Sequence, residues 1–194
     1  MTYDPQIHHR HSLRLQNYDY SQAGAYFVTI CTQNRECFFG DVVDGVIRLN
    51  NAGILIQSVW NEIPLHYPGV DIDEFVIMPN HIHGIIMIVG AGPCACPDSG
   101  ERQILEKDIK KSGQPRGVAP TELSLPDVVH RFKTMATKRY IDGVTQNGWI
   151  PFTGKLWQRN YWEHVIRNEH DLTEIREYIR NNPVQWKLDE LFIT

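Results

Sequence analysis

Residues 76–86 read VIMPNHIHGII, which sets two histidines one residue apart in an otherwise apolar run. Residues two apart on a strand project to the same face, so His81 and His83 point together while Ile82 points away. Converging neutral imidazoles are the beginning of a divalent-metal site. The plain alternative is a pair of core histidines bonded to backbone or water. Without partners, polar groups among Val76, Ile77, Ile85, Ile86 and Met87 would cost on the order of 1–3 kcal/mol each. His9 and His11 repeat the spacing in a polar N-terminal stretch, where no buried strand is expected to organise them. Spacing and setting alone leave the metal site and the core pair both open.

A second set of reactive groups lies in EYIRNNPVQW, residues 177–186. Tyr178 and Asn182 are four apart and share a helical face. Leu172, Ile175 and Ile179 make the apolar stripe of that helix, with Tyr178 and Asn182 along its edge. A phenol ionises near about pH 10 and is a weak nucleophile at neutral pH. A metal that neutralises a phosphodiester makes up the difference. A half-buried structural tyrosine is the alternative, and Tyr161 and Tyr140 are rival nucleophiles.

These groups need a frame. Ala25–Thr32 is β-branched and aromatic, as buried strands are. Cys37–Gly40 and Val46–Leu49 flank a turn. Asn51 caps a helix running to Glu62, closed by Pro64. Strands at Phe75–Met78 and His81–Val89 are joined only by Pro79-Asn80, which makes them antiparallel. A second helix starts near Ser124 or Asp127, with Val128, Phe132, Met135 and Ala136 on its apolar side. Leu156–Arg167 reads as a strand, and a last helix runs from Asp171 to about Asn181, stopped by Pro183. The order predicts an α+β, ferredoxin-like βαββαβ fold: an antiparallel sheet with helices on one face, plus a C-terminal tyrosine helix.

Residues 1–194 read as one domain. Five glycines and four prolines between Gly90 and Pro120 mark a flexible insertion. The insertion holds Cys94 and Cys96, too few ligands for a structural zinc site. Hydrophobic residues make up 42% and charged residues 22%, and no apolar run reaches the roughly 18 residues of a membrane span. The opening residues are polar, so a cytoplasmic protein with reduced thiols is expected. The net charge of −4 is uneven, since residues 125–187 carry 10 Lys+Arg against 7 Asp+Glu. A local basic face is therefore available to a nucleic acid.

The chain resembles the single-tyrosine HUH transposases (His-hydrophobic-His), and among them the REP-associated tyrosine transposases. The resemblance runs over Tyr26–Trp186 through YFVTICTQNR, VIMPNHIHGII, VVHRFKTMATKRY, LWQRNYWEHVIRNEHDL and EYIRNNPVQW, in that order. It implies a DNA nicking and strand-transfer enzyme that acts on single-stranded or hairpin DNA. In this family the histidines and one polar side chain hold Mg²⁺ or Mn²⁺, and a helical tyrosine attacks the scissile phosphate. The products are a covalent 5′-phosphotyrosine and a free 3′-OH. Carried over by position, His81, His83 and Asn182 are ligands and Tyr178 is the nucleophile. Monomeric and homodimeric forms both fit. Two other readings are an idle DNA-binding protein on the same fold, and a HUH nicking enzyme of replication or plasmid transfer.

For the substrate, Arg131, Lys133, Lys138 and Arg139 on one helix, with Arg159 and Arg167, are candidate phosphate contacts. Each could equally be a solvated charge. Trp157, Tyr161 and Trp162 are candidates for base stacking where exposed, or for core packing where not.

Overall fold

The computed structural model describes Leu15 and residues 18–89, 123–189 and 191–192. His9, His11, the 90–120 insertion, Cys94 and Cys96 lie outside the described residues. The strands are β1 (Gly24–Cys31), β2 (Gly40–Val43), β3 (Val46–Leu49), β4 (Val70–Ile77), β5 (His81–Ile88) and β6 (Trp162–Ile166). The helices are α1 (Asn51–Asn61), α2 (Ile63–His66), α3 (Leu125–Asn147) and α4 (Glu169–Gln185). Four strands form an antiparallel sheet in the order β4-β5-β1-β6, the ferredoxin-like arrangement. The β2–β3 pair is a separate hairpin whose two turn residues, Asp44 and Gly45, both have positive φ. That conformation matches the twist of a hairpin and explains the Asp-Gly pair.

Strand alternation divides β1 and β5 between two cores. Tyr26, Val28 and Ile30, with Ile82, Ile86 and Ile88, face the larger one, covered by α1 and α3. Trp60 and Phe132 from those helices are fully buried there, 5.1 Å apart edge to face. Phe27 and Ile85 face the opposite side and meet Ile179 of α4 in a small second core. His81 and His83 belong to this second side, under α4. Arg176 and Arg180 add ion pairs from α4 to Asp73 and Glu74 of β4.

Local signals set the helix ends. The Asn50 side chain accepts from the Gly53 N–H at 2.9 Å, one residue before the expected cap. Ser124 and Asp127 form a capping box on α3. Asn168 caps α4 by accepting from the Asp171 N–H at 2.9 Å.

Several boundaries differ from expectation: β4 begins at Val70 and not Phe75, and the first hairpin strand is Gly40–Val43 and not Cys37–Gly40. Pro64 does not end the helical region; it opens the short α2, where its missing N–H is harmless. The strand expected over Leu156–Arg167 is only Trp162–Ile166, because Leu156, Trp157 and Tyr161 turn into the larger core. The carbonyls of Gln158, Arg159 and Asn160 meanwhile turn to the Lys133 ammonium, so beyond β6 the pairing returns only as an isolated bridge between Trp157 and Thr32. Pro183 sits inside α4, near its end, so the helix continues through Asn182.

Arg139 joins α3 to the end of α1, donating to Glu62 Oε1 at 2.7 Å and Oε2 at 2.5 Å. This guanidinium holds the Glu62 carboxyl down to about 2, from a usual 4.5. A depressed carboxylate stabilises the fold above its unfolded pKa, and the contribution fades as pH falls from about 4.5 to about 2. The side chains are 34% and 24% exposed, so solvent screening limits the effect to the order of 1 kcal/mol. Urea unfolding of Arg139→Met should therefore show a deficit of that size at about pH 5 that closes by about pH 2. A deficit independent of pH would assign the effect to packing of the Arg139 stem.

Candidate active site

β5 delivers the histidine pair. His81 and His83 are buried, and their register partners on β1 are Cys31 and Thr29. Each ring is held at Nδ1. Asn80 donates both amide hydrogens, to Arg35 O at 3.0 Å and Leu191 O at 2.8 Å. That leaves Asn80 Oδ1 to accept from His81 Nδ1 at 2.8 Å. Nε2 of His81 therefore carries the lone pair. His83 Nδ1 lies 2.8 Å from Thr29 Oγ1, and its Nε2 lies 3.3 Å from the Tyr178 hydroxyl. Anchoring the far nitrogen of an imidazole is how proteins aim the near one at a metal.

α4 delivers Tyr178 and Asn182 to the same place. Tyr178 is 42% exposed, its ring edge-on to Phe27 and tilted against His83. Asn182 is buried, and its amide donates to Asp189 Oδ2 at 3.2 Å. Its Oδ1 has no hydrogen-bond partner among the described residues. Asp189 itself was not foreseen. It follows a 3₁₀ turn, Trp186–Leu188, and is fixed by Leu191 N–H donating to Oδ1 at 2.7 Å. One ligand atom each from His81, His83 and Asp189 lie within 4.8 Å of one another.

The donor set fits a divalent cation. His81 Nε2 is buried, without a hydrogen-bond partner among the described residues, and 3.8 Å from Asp189 Oδ2. Two acceptors so placed repel each other unless a proton or a cation lies between them. Burial, with a smaller push from Arg35, lowers His81 to about 3, which disfavours the proton at neutral pH. Burial and the neighbouring His81 likewise keep His83 neutral. Two neutral imidazoles, a carboxylate and an amide oxygen suit a borderline-to-hard divalent ion.

Asn80→Asp keeps an acceptor for His81 but removes both donors to Arg35 and Leu191. We expect Mn²⁺ affinity, read by calorimetric titration, to fall 10- to 100-fold. Unchanged affinity would deny Asn80 a part in aiming His81.

The other expected residues divide. Tyr140 is buried in the larger core and donates to Ile150 O at 2.9 Å. Tyr161 is also in that core, under the Lys133 ammonium. Arg131 lies over the Tyr67 ring, Lys133 holds the 158–160 carbonyls and Arg139 binds Glu62. Lys138, Arg159 and Arg167 are exposed. Beside Tyr178 opens a cleft of about 800 Å³, with His83, Asn182 and Asp189 in its wall. Among the described residues, no helix is long and apolar enough to cross a membrane.

An antiparallel sheet bearing a histidine pair under a helical tyrosine is the arrangement of the single-tyrosine HUH class. No protein-family model matches the sequence. The chain is 40% identical to an uncharacterised Haemophilus influenzae protein over 98% of its own length and 97% of that protein. A second protein of that organism, named as a candidate REP-associated tyrosine transposase, is 25% identical over 88% of this chain and 77% of its own. Among solved structures, a REP-associated tyrosine transposase bound to a REP hairpin shares the fold. The TM-score is 0.53 at 18% identity, covering 91% of this chain and 76% of that one. In sequence the chain is thus similar to a REP-associated tyrosine transposase, and in fold to a solved one, which supports the IS200-like HUH family.

Proposed function

We propose that this protein is a metal-dependent endonuclease and strand-transferase acting on single-stranded, hairpin-containing DNA. The observation that carries the reading is the meeting of the His81, His83 and Asp189 ligand atoms with the Tyr178 hydroxyl, 3.3 Å from His83 Nε2. His81, His83 and Asp189 would hold Mg²⁺ or Mn²⁺, with Asn182 Oδ1 beside them. The bound ion supplies polarisation of the scissile phosphate and neutralises its charge.

The chain's own part is nucleophilic. Tyr178 Oη, losing its proton, bonds to the phosphorus, and the bond from phosphorus to the 3′-oxygen breaks. The departing oxygen takes up a proton to become a 3′-OH, and the 5′ phosphate stays on Tyr178. One phosphodiester replaces another, so attack by a different 3′-OH reverses the step and joins strands without ATP. Phe27 and His83 limit the swing of the Tyr178 ring, which keeps the phenol near the site.

The test is covalent trapping of end-labelled hairpins from the DNA flanking the gene, in Mn²⁺ or EDTA, with the modified peptide identified by mass spectrometry. A metal-dependent adduct on Tyr178 is expected. An adduct on Tyr161 or Tyr140 would move the nucleophile. Hairpin binding without any adduct would favour the idle DNA-binding protein. Failure to join a donor 3′-OH would leave a nicking enzyme.

A further inference from the structure

The cleft beside Tyr178 has an unexpected lining for a DNA enzyme. Among its described wall residues none is Lys or Arg, and two, Asp171 and Asp189, are carboxylates. Apart from a bound metal, no cationic side chain among the described wall residues draws in phosphate. Its lining is aromatic instead, with Phe27, Tyr161, Trp162 and Tyr178. Gln158, Asn160 and Gln185 also line the cleft, and their side chains are amides that offer both donors and an acceptor. That equipment suits a nucleobase, which needs a flat apolar surface for its face and amides for its edge.

Trp162 is the centre of this surface. It is 48% exposed, lies edge-on to Phe27 at 5.6 Å, and is nearly coplanar in orientation with His164, at 9° and 6.2 Å. His164 is in turn held by Asp171, with Nε2 donating to its carboxylate at 3.0 Å. Lys133 fixes the facing loop through the carbonyls of Gln158, Arg159 and Asn160. The shelf is therefore built before any ligand arrives. Thr29 pairs with His83 on one side and Trp162 on the other, so Trp162 stands two strand spacings, about 10 Å, from the histidine site. One nucleotide covers that span from phosphate to base.

We infer that this cleft is a nucleobase pocket. It takes one unpaired base next to the scissile phosphate, stacked on Trp162 and read at its edge by the Gln158 and Asn160 amides. The inference rests on the DNA reading above and names where sequence preference at the cut is set. Arg159 and Arg167, exposed outside the cleft, are left to the phosphates.

The test uses the full chain with Tyr178→Phe, so that no covalent step intervenes. Hairpins with four-nucleotide single-stranded flanks carry one 2-aminopurine, or one abasic residue, moved through each flank position. We expect 2-aminopurine fluorescence to be quenched at one position, and an abasic residue there to weaken binding about tenfold. Adding Trp162→Ala should erase both effects, and Trp162→Phe should restore most of each. Hairpin binding that ignores every abasic position, or ignores Trp162→Ala, overturns the pocket. An adduct in the unsubstituted protein without flank dependence removes the pocket and keeps the transferase. Flank dependence without an adduct does the reverse.

Discussion

Tyr178→Phe should abolish the covalent DNA adduct and leave both Mn²⁺ binding and hairpin binding within about twofold of the parent. The substitution removes one oxygen, 3.3 Å from His83 Nε2, and keeps the ring that rests on Phe27 and His83. The side chain is 42% exposed, so the fold loses little. Turnover should fall on the order of 10⁴- to 10⁶-fold, the scale of losing an enzyme's nucleophile. The two rivals differ in their access to the site. Tyr140 is buried across the sheet with its hydroxyl committed to Ile150 O, whereas Tyr161 packs in the same core but also lines the cleft, so it is the rival that peptide mapping must exclude. A residual metal-dependent adduct in Tyr178→Phe would sink the assignment.

The second large effect is structural. Gly84 follows His83 on β5 and points into the larger core, where an added Cβ would lie 2.4 Å from Trp60 Cζ2 and 3.1 Å from Phe75 Cβ. Trp60 is fully buried against Phe75 and Phe132 and has no room to swing. Gly84→Ala should cost about 1–3 kcal/mol by overpacking, or about 2–4 °C of Tm for each kcal/mol. The same push moves β5 and its histidines, so Mn²⁺ affinity should drop with stability. Trp60→Phe in the Gly84→Ala background should recover part of both, since the smaller ring opens the space. Thermal melts and Mn²⁺ titration of the three variants decide it. Unchanged melting in Gly84→Ala would mean the core yields where its packing says it cannot.

Much of this site was legible because it follows periodicity. His81 and His83 share a face through the two-residue repeat of a strand, and Tyr178 and Asn182 through the four-residue spacing of a helix. The fold was legible for the same reason, since the order of periodic segments alone predicts the βαββαβ plan. Asp189 was not, because it lies past the last periodic segment and reaches the site through Leu191 O bonding to Asn80 and through its own turn. A carboxylate a few residues beyond the tyrosine helix was the available signal. Pro183 misled because a proline is costly in a helix interior but cheap in a final turn, where one more missing bond adds little. Lys133 and Arg139 read as face charges, yet their long stems carry the cations to the 158–160 carbonyls and to Glu62. Pattern gives the side of a helix; it does not give what a neighbouring loop brings there.

The unequal cores on the two faces of the sheet carry a consequence for how the molecule opens. The larger face holds most of the buried aromatics, whereas α4 is seated on Phe27, Ile85 and Ile179 with a partly buried fringe and exposed ion pairs. Cooperative units of a protein open in order of the contacts they must give up. The α4 layer is thus expected to open before the α1–α3 layer, which hydrogen exchange of the α4 amides against those of β5 would show. The proposed nucleophile rides on the layer with the smaller core, and the histidine pair on a central strand. Undocking α4 would therefore disarm the site reversibly, through a partial unfolding that leaves the rest of the chain native.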